Sequence, residues 1–208
     1  TEGGNISVSN SGVGLAIEGL IENQGTGKIT VENTGSDALA ISENASIQAA
    51  DGNIEIANSG TSLNFAGVIR NNKGGITIAN TGNDEANIAG NIQANNGDIS
   101  ISNSRTNLNF ASYIQANKGD IEITNSGTSL NFAGYIQANS GDIEIANSGN
   151  NEANIKGNIL ADNGDIKIAN SGTSLNYTAF ISNKKGDITI TNTGDDKAKI
   201  AGYIEANN

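Results

Sequence analysis

The sequence predicts an all-β fold: a single-stranded parallel β-helix, or β-solenoid, with about nine coils of 22–23 residues and three short strands per coil. The first observation is a repeated phrase: Gly, a residue that is usually small or acidic, Ile, any residue, Ile or Val, any residue, Asn, and Ser or Thr. A repeat of about 20–30 residues cannot bury its own apolar face, so it implies a stack in which each unit covers the next. The nine copies begin at Gly4, Gly27, Gly52, Gly74, Gly97, Gly119, Gly141, Gly164 and Gly186.

The second observation is the alternation inside each phrase, which predicts the first strand of every coil. An Ile such as Ile121 is followed two residues later by another Ile or Val, and a polar residue such as Glu122 lies between them. Alternation with period two among β-branched residues is typical of a short strand with one buried face. Gly and Asn then interrupt the run, as turns require.

The rest of each coil predicts the second and third strands, and it occurs in two forms. One form reads like Thr-Ser-Leu-Asn-Phe-Ala-Gly-X-Ile at 61–69, and the longer form reads like Asn-Asp-Glu-Ala-Asn-Ile-Ala-Gly-Asn-Ile at 83–92. The second strand carries pairs such as Leu130 and Phe132, or Ala153 and Ile155, and the third centres on an Ile such as Ile136. A helical solenoid is the competing fold, but the abundance of Asn, Gly, Ser and Thr and the lack of a 3.6-residue stripe disfavour it.

An Asn recurs after the alternating residues of every coil, and we expect these side chains to form a hydrogen-bonded ladder. In a stack of coils they lie directly above one another, so each carboxamide can donate to one neighbour and accept from the other. We interpret this as a structural device and not as a binding site. The ladder consists of Asn10, Asn33, Asn58, Asn80, Asn103, Asn125, Asn147, Asn170 and Asn192.

Composition excludes several classes of function. The formal charge of −11 and the pI near 4.3 argue against binding to nucleic acid or to anionic membranes. Without His or Cys, the usual metal sites and nucleophile–base pairs are not available, and we expect no cofactor and no catalytic residue. No apolar run of 18 residues occurs, so no membrane insertion is expected. The lack of Cys is compatible with export in an unfolded state.

Two columns of side chains invite a functional interpretation. Acidic residues share one position in five consecutive coils, at Asp98, Asp120, Asp142, Asp165 and Asp187. They suggest calcium ligands, but one column supplies too few convergent oxygens, and a solvated turn is the simpler interpretation. Aromatic residues share an outward position at Tyr113, Tyr135, Phe180 and Tyr203. They could form a surface binding strip for glycans or a receptor, although packing between neighbouring coils is the favoured interpretation.

The repeats also carry a resemblance to a known family. Stretches such as Gly-Asp-Ile-Glu-Ile-Ala-Asn-Ser-Gly resemble the shafts of filamentous haemagglutinin-type exoproteins, and most closely the high-molecular-weight adhesins of two-partner secretion. The resemblance implies a right-handed rod that is secreted to a Gram-negative bacterial cell surface. It also implies an outer-membrane transporter as partner during export, and a role in adhesion and virulence through a receptor or glycan on a host or neighbouring cell.

We therefore expect residues 1–208 to form one repeat domain, part of a longer array, that serves as the stalk of a surface adhesin. The alternative is a receptor- or glycan-binding face, in an adhesin or in a contact-dependent inhibition exoprotein. A remote alternative is an enzyme of the polysaccharide-lyase type, but the repeat is unbroken and shows no paired carboxylates in a groove, so we expect no enzyme.

Overall fold

The computed structural model describes residues 3–207 and confirms the parallel β-solenoid. Its strands form three nine-stranded sheets, and each coil contributes one strand to each sheet. The first sheet contains Ile6–Asn10, Ile29–Asn33, Ile54–Asn58, Ile76–Asn80, Ile99–Asn103, Ile121–Asn125, Ile143–Asn147, Ile166–Asn170 and Ile188–Asn192. The second contains Leu15–Ile17, Leu39–Ile41, Leu63–Phe65, Ala86–Ile88, Leu108–Phe110, Leu130–Phe132, Ala153–Ile155, Leu175–Tyr177 and Lys199–Ile200. The third contains Leu20–Asn23, Ser46–Ala49, Val68–Asn71, Asn91–Ala94, Tyr113–Ala116, Tyr135–Ala138, Asn158–Ala161, Phe180–Asn183 and Tyr203–Ala206. No helix occurs in the described part of the chain.

The core is a set of columns that run along the axis, because every strand pairs in parallel with its counterpart in the next coil. Ile121 lies over Ile143 in the first sheet, and Phe110 lies over Phe132 in the second. The rings of these two phenylalanines lie 5.5 Å apart and are tilted by 43°. Such side chains are fully buried in the inner coils, and each contributes roughly 1.5–3 kcal/mol by leaving water.

The structure corrects the placement of the asparagine ladder. The sequence suggests that each Asn follows the first strand and lies in a turn, but Asn125 and its counterparts are the last residues of those strands. Their side chains point inward and are buried in coils two to eight. The five-residue strand is therefore apolar at its first two inward positions and polar at the third.

The recurrent glycine before each first strand is required by the close approach of adjacent coils. A Cβ atom added at Gly119 would clash with the carbonyl oxygen of Gly97, and one at Gly141 would clash with that of Gly119. No glycine among the described residues has a positive φ, so conformational freedom does not explain the pattern. The constraint is the space between backbones, which only a residue without a side chain leaves free.

The two end coils differ from the rest because each has a neighbour on one side only. In the first coil Val13 and Leu20 are exposed, and in the last coil Ile200, Tyr203 and Ile204 are exposed. The strands of these coils are also the edges of all three sheets.

Candidate functional site

The buried asparagine ladder is continuous through all nine coils. Each Nδ2 donates to the Oδ1 of the Asn in the next coil, with distances of 2.7–2.9 Å. Donation always runs toward the C-terminus: Asn103 donates to Asn125, and Asn125 donates to Asn147. In some coils the second amide hydrogen donates to a nearby carbonyl, such as that of Thr106, 2.8 Å from Asn103 Nδ2. The ladder therefore satisfies buried amides and offers no free group to a ligand.

A second ladder, which the sequence analysis missed, lies on the outer face of the second sheet. Asn87 Nδ2 donates to Asn64 Oδ1 at 3.0 Å, and Asn109 Nδ2 donates to Asn87 Oδ1 at 2.9 Å. Donation here runs toward the N-terminus, opposite to the buried ladder. The signal was the central Asn that the third to eighth coils share in Leu-Asn-Phe, Ala-Asn-Ile or Leu-Asn-Tyr. The members are Asn64, Asn87, Asn109, Asn131, Asn154 and Asn176.

The aspartate column has a structural task in this fold. The backbone N–H of Asp142 does not meet a main-chain carbonyl and donates instead to Asp120 Oδ1, 2.8 Å away. The same bond links Asp120 to Asp98 at 2.9 Å, and Asp187 to Asp165 at 2.8 Å. Asn53 occupies the same position in the third coil, and its Oδ1 accepts from the Gly75 N–H at 3.0 Å. Seven of the nine coils therefore carry a short side chain with an acceptor oxygen at this position, either Asp or Asn, and the exceptions are Lys28 and Gly75.

This arrangement does not resemble a metal centre. The carboxylates are exposed and lie in a single file along the axis, and one oxygen of Asp98, Asp120, Asp142 and Asp165 already accepts a backbone hydrogen bond. Within residues 3–207, no three acidic, Cys or His side chains come together in a group that could hold a metal ion. A calcium ion needs six to eight oxygens that converge.

The four aromatic residues of the suggested binding strip form two separate pairs. Tyr113 and Tyr135 stack with ring centroids 5.3 Å apart and planes within 6°, and Phe180 and Tyr203 stack at 5.4 Å and 5°. Asn158 occupies this position in the coil between the two pairs. In each pair one face of each ring lies against the other ring. The strip is therefore interrupted, and one face of each ring is used in a contact between coils.

Hydrogen bonds hold the first aromatic pair in place. Tyr135 OH donates to Gln137 Oε1 at 3.4 Å, and Gln137 Nε2 donates to Asn139 Oδ1 at 2.9 Å. Tyr113 and Gln115 repeat the first contact at 3.1 Å in the preceding coil. Partial burial, and secondarily the neighbouring Tyr113, raises the pKa of Tyr135. The Tyr135 phenol is therefore a neutral hydrogen-bond donor at physiological pH.

The surface depressions are open grooves between side chains. One of about 420 Å³ runs beside the outer ladder and is lined by Asn109, Asn131 and small residues such as Ala111. Another of about 330 Å³ lies on the third sheet near Arg70 and Gln93. Neither brings together a nucleophile with a base, or two carboxylates in the arrangement that glycosidases use. Amides supply most of the polar groups of both grooves, with Lys156 in the first and Glu22 and Arg70 in the second.

Among residues 3–207, two buried hydroxyls lack a hydrogen-bond partner, those of Ser42 and Tyr177. Tyr177 is fully buried in the core column that holds Phe132 two coils earlier and Phe110 three coils earlier. Burial raises the pKa of its phenol well above the usual value. The hydroxyl does not open into either groove, so we interpret Tyr177 as a core residue with an unpaired polar atom.

The charged side chains are spread over the surface. In the described part of the chain, four exposed ion pairs link neighbouring coils, for example Lys167 Nζ with Glu144 Oε1 at 2.6 Å and Lys28 Nζ with Glu55 Oε2 at 3.1 Å. Exposed pairs of this kind contribute about 0–1 kcal/mol each. No helix among the described residues is long and apolar enough to cross a bilayer.

Fold and surface together define the class: a repeat protein of the β-solenoid type, in which the conspicuous polar columns stabilise the stack. Within this class the chain belongs to the Toastrack DUF4097 family, whose model matches residues 1–162. No curated protein and no solved structure matches the chain.

The family assignment corrects the resemblance to filamentous haemagglutinin-type exoproteins, which was wrong. The matching family is a different one, so membership of the two-partner secretion group falls away. The transporter partner, the adhesive role and the bacterial-surface location were implied by that resemblance, and the family match does not support them. The β-helical repeat, which followed from the residues themselves, is unaffected.

We predict that Asn125→Ala destabilises the protein by about 1–3 kcal/mol. The substitution leaves Asn103 Nδ2 without its acceptor and Asn147 Oδ1 without its donor, and both groups are buried. The control is Glu122→Gln on the outer face of the same strand, which should change the free energy of unfolding by no more than about 0.5 kcal/mol. Denaturant titration measures both, and equal effects would contradict a structural role for the ladder.

We predict that Asp120→Asn is tolerated and that Asp120→Ala costs about 0.5–1.5 kcal/mol. Asn keeps an acceptor for the Asp142 N–H, as Asn53 does for Gly75, and Ala removes it. Denaturant titration measures the difference.

Thermal melts in millimolar calcium test whether the aspartate column binds this ion. The wild-type protein and the Asp120→Asn/Asp142→Asn variant should respond alike. A saturable rise in melting temperature that the double variant loses would make the column a calcium site.

We predict that Tyr177→Phe raises the free energy of unfolding by about 1–3 kcal/mol, because it removes an unpaired buried hydroxyl.

The pH dependence of the free energy of unfolding gives a second readout for Tyr177→Phe. An unfolded tyrosine ionises near pH 10, and the folded Tyr177 does so only at higher pH. The preference of the folded state for the neutral phenol is therefore fully present below about pH 10. The free energy of unfolding falls as the pH rises above about 10 toward the folded pKa. The variant should lose less stability in that range, whereas Tyr113→Phe, at a partly exposed ring, should behave like the wild type. A loss of stability in Tyr177→Phe would show that the hydroxyl has a partner.

Proposed function

We propose that this chain is a structural spacer: a stiff rod that sets the distance between the groups attached to its two ends. The observation that carries the proposal is the continuity of three sheets through all nine coils, with no insertion that breaks the register. At about 4.8 Å per coil, the rod is about 43 Å long.

The stiffness of the rod follows from its contacts. Every coil is bonded to its neighbours by three sets of backbone hydrogen bonds, and the buried ladder adds one amide bond per junction. Aromatic stacks and ion pairs reinforce some junctions from outside. A spacer needs this kind of reinforcement in every coil and does not need a pocket.

We extend the proposal to the stalk of a secreted or cell-surface protein, where a spacer holds a binding domain away from the surface. The high negative charge supports this setting, because it keeps a repetitive β-protein soluble and opposes lateral association. The competing function is a receptor- or glycan-binding face on the aromatic strip. The pairing of its rings with one another favours the spacer, since sugars bind to exposed ring faces.

Deletion of two complete coils, residues 97–140, should leave a folded rod that is shorter by about 10 Å, because each coil contacts only its neighbours. Circular dichroism and small-angle scattering measure folding and length. The control is deletion of residues 97–107, which removes half a coil and breaks the register of all three sheets. Loss of folding in both variants would contradict a modular spacer.

The binding alternative has its own assay. The isolated 208-residue chain should not adhere to host cells or to a glycan array, and neither should its Tyr113→Ser/Tyr135→Ser variant. Strong binding by the wild-type chain that the variant loses would favour a recognition surface over the spacer.

A further inference from the structure

The groove of about 420 Å³ beside the outer asparagine ladder runs along the axis through the fourth to seventh coils. One of its walls is the ladder itself, and the other is a row of exposed alanines two residues further along each coil. The inward residues between the two rows, such as Phe110 and Phe132, form the floor. A groove of about 270 Å³ continues it toward the N-terminus. The alanines of the larger groove are Ala89, Ala111 and Ala133, and Lys156 takes their position in the seventh coil.

The distance between the two rows suits a flat ring that stands on its edge. Residues two positions apart along a strand are about 6.6–6.8 Å apart. The alanines keep this course, because the Ala111 N–H donates to the Ile88 carbonyl at 2.9 Å and the Ala133 N–H to the Phe110 carbonyl at 2.7 Å. A ring in contact with a wall on each side needs about 7 Å, since carbon atoms in contact lie about 3.5 Å apart.

The hydrogen bonds of the outer ladder turn the flat faces of its amides toward the alanines. Each Asn side chain points out from the sheet, and its bond to the next coil, such as that from Asn131 Nδ2 to Asn109 Oδ1 at 3.0 Å, runs along the axis. Such bonds lie near the plane of the amide, so this plane contains both the axis and the outward direction. The face of the amide is therefore directed along the strand, into the groove, where a ring parallel to the axis can stack on it.

Charge favours one kind of flat ligand. The chain carries a formal charge of −11, and a field of this sign concentrates cations near the surface. Glu85 lies beside the ladder and accepts from Asn109 Nδ2 at 3.2 Å. Of the described residues that line the larger groove, Lys156 alone is charged, and it stands at the C-terminal end. A cationic group of the ligand should therefore lie toward the fourth coil.

From these features we propose that the groove binds flat, elongated aromatic cations. The ligand lies along the axis, with one face against the amides of the ladder and the other against the alanine methyl groups. The three junctions between the fourth and seventh coils span about 14 Å, which suits several linked rings and not a single ring. Binding does not depend on the spacer function, because it uses the outer surface of inner coils.

The test is a fluorescence titration of the 208-residue chain with thioflavin T, a flat benzothiazole cation that emits strongly when rotation about its central bond is blocked. The wild-type chain should give a saturable rise in emission, and binding should weaken as salt screens the attraction. Ala111→Gln/Ala133→Gln fills the groove without a change of charge and should weaken binding by about tenfold or more. Both alanines are exposed, so the variant should remain folded, and circular dichroism checks this.

The matched control is Ala146→Gln/Ala169→Gln, the same change at paired residues of two neighbouring coils in the first sheet. These alanines line a smaller groove of about 250 Å³ in which Ser and Thr, and not an outer amide ladder, stand beside them. This variant should bind the dye like the wild type. Sedimentation of the same samples detects aggregates, which also bind such dyes. The lack of a saturable signal, equal weakening in both double variants, or a signal confined to sedimenting aggregates would overturn the proposal.

Discussion

The whole molecule depends on one spacing, the distance of one backbone hydrogen bond between adjacent coils. Parallel pairing in three sheets fixes that distance, and it places every side chain above its counterpart in the next coil. Identical residues must therefore tolerate each other at close range. Carboxamides do so by donating and accepting, aromatic rings by stacking, and Ile by interlocking, whereas glycine is needed where the backbones themselves come close.

The fold could be predicted from the sequence because the alternation of Ile121 and Ile123 with Glu122, repeated nine times, is hard to reconcile with any other architecture. The exact course of the chain was harder to predict. The first two coils depart from the common pattern, and their strands Leu15–Ile17 and Ser46–Ala49 emerge only from pairing with later coils. The place of Asn125 as the last residue of its strand was also missed, because Asn has a preference for turns, which the ladder overrides.

The roles of the surface columns could be predicted only in part. Stacking of Tyr113 on Tyr135 follows from their coil position, but nothing in the sequence shows that the Asp142 N–H lacks a main-chain partner and needs the Asp120 carboxylate.

The resemblance to filamentous haemagglutinin-type exoproteins was wrong because the residues that carried it are set by the geometry of the coil. A stretch such as Gly-Asp-Ile-Glu-Ile-Ala-Asn contains the residues that this coil geometry requires, namely glycine for space, aspartate as an acceptor, Ile for the core and Asn for the ladder. Unrelated β-solenoids can meet the same requirements with the same residues, so the motif reports geometry and not ancestry.

The axial direction of the hydrogen bonds also determines how the rod responds to force. A pull along the axis acts directly on these bonds, and at every junction the three sheets and the buried amide bond share the load. A coil that detaches from its neighbour releases about 70 Å of extended chain from a segment that occupied about 5 Å. The same molecule is therefore rigid under compression and bending, and under tension it lengthens in regular steps that absorb mechanical work.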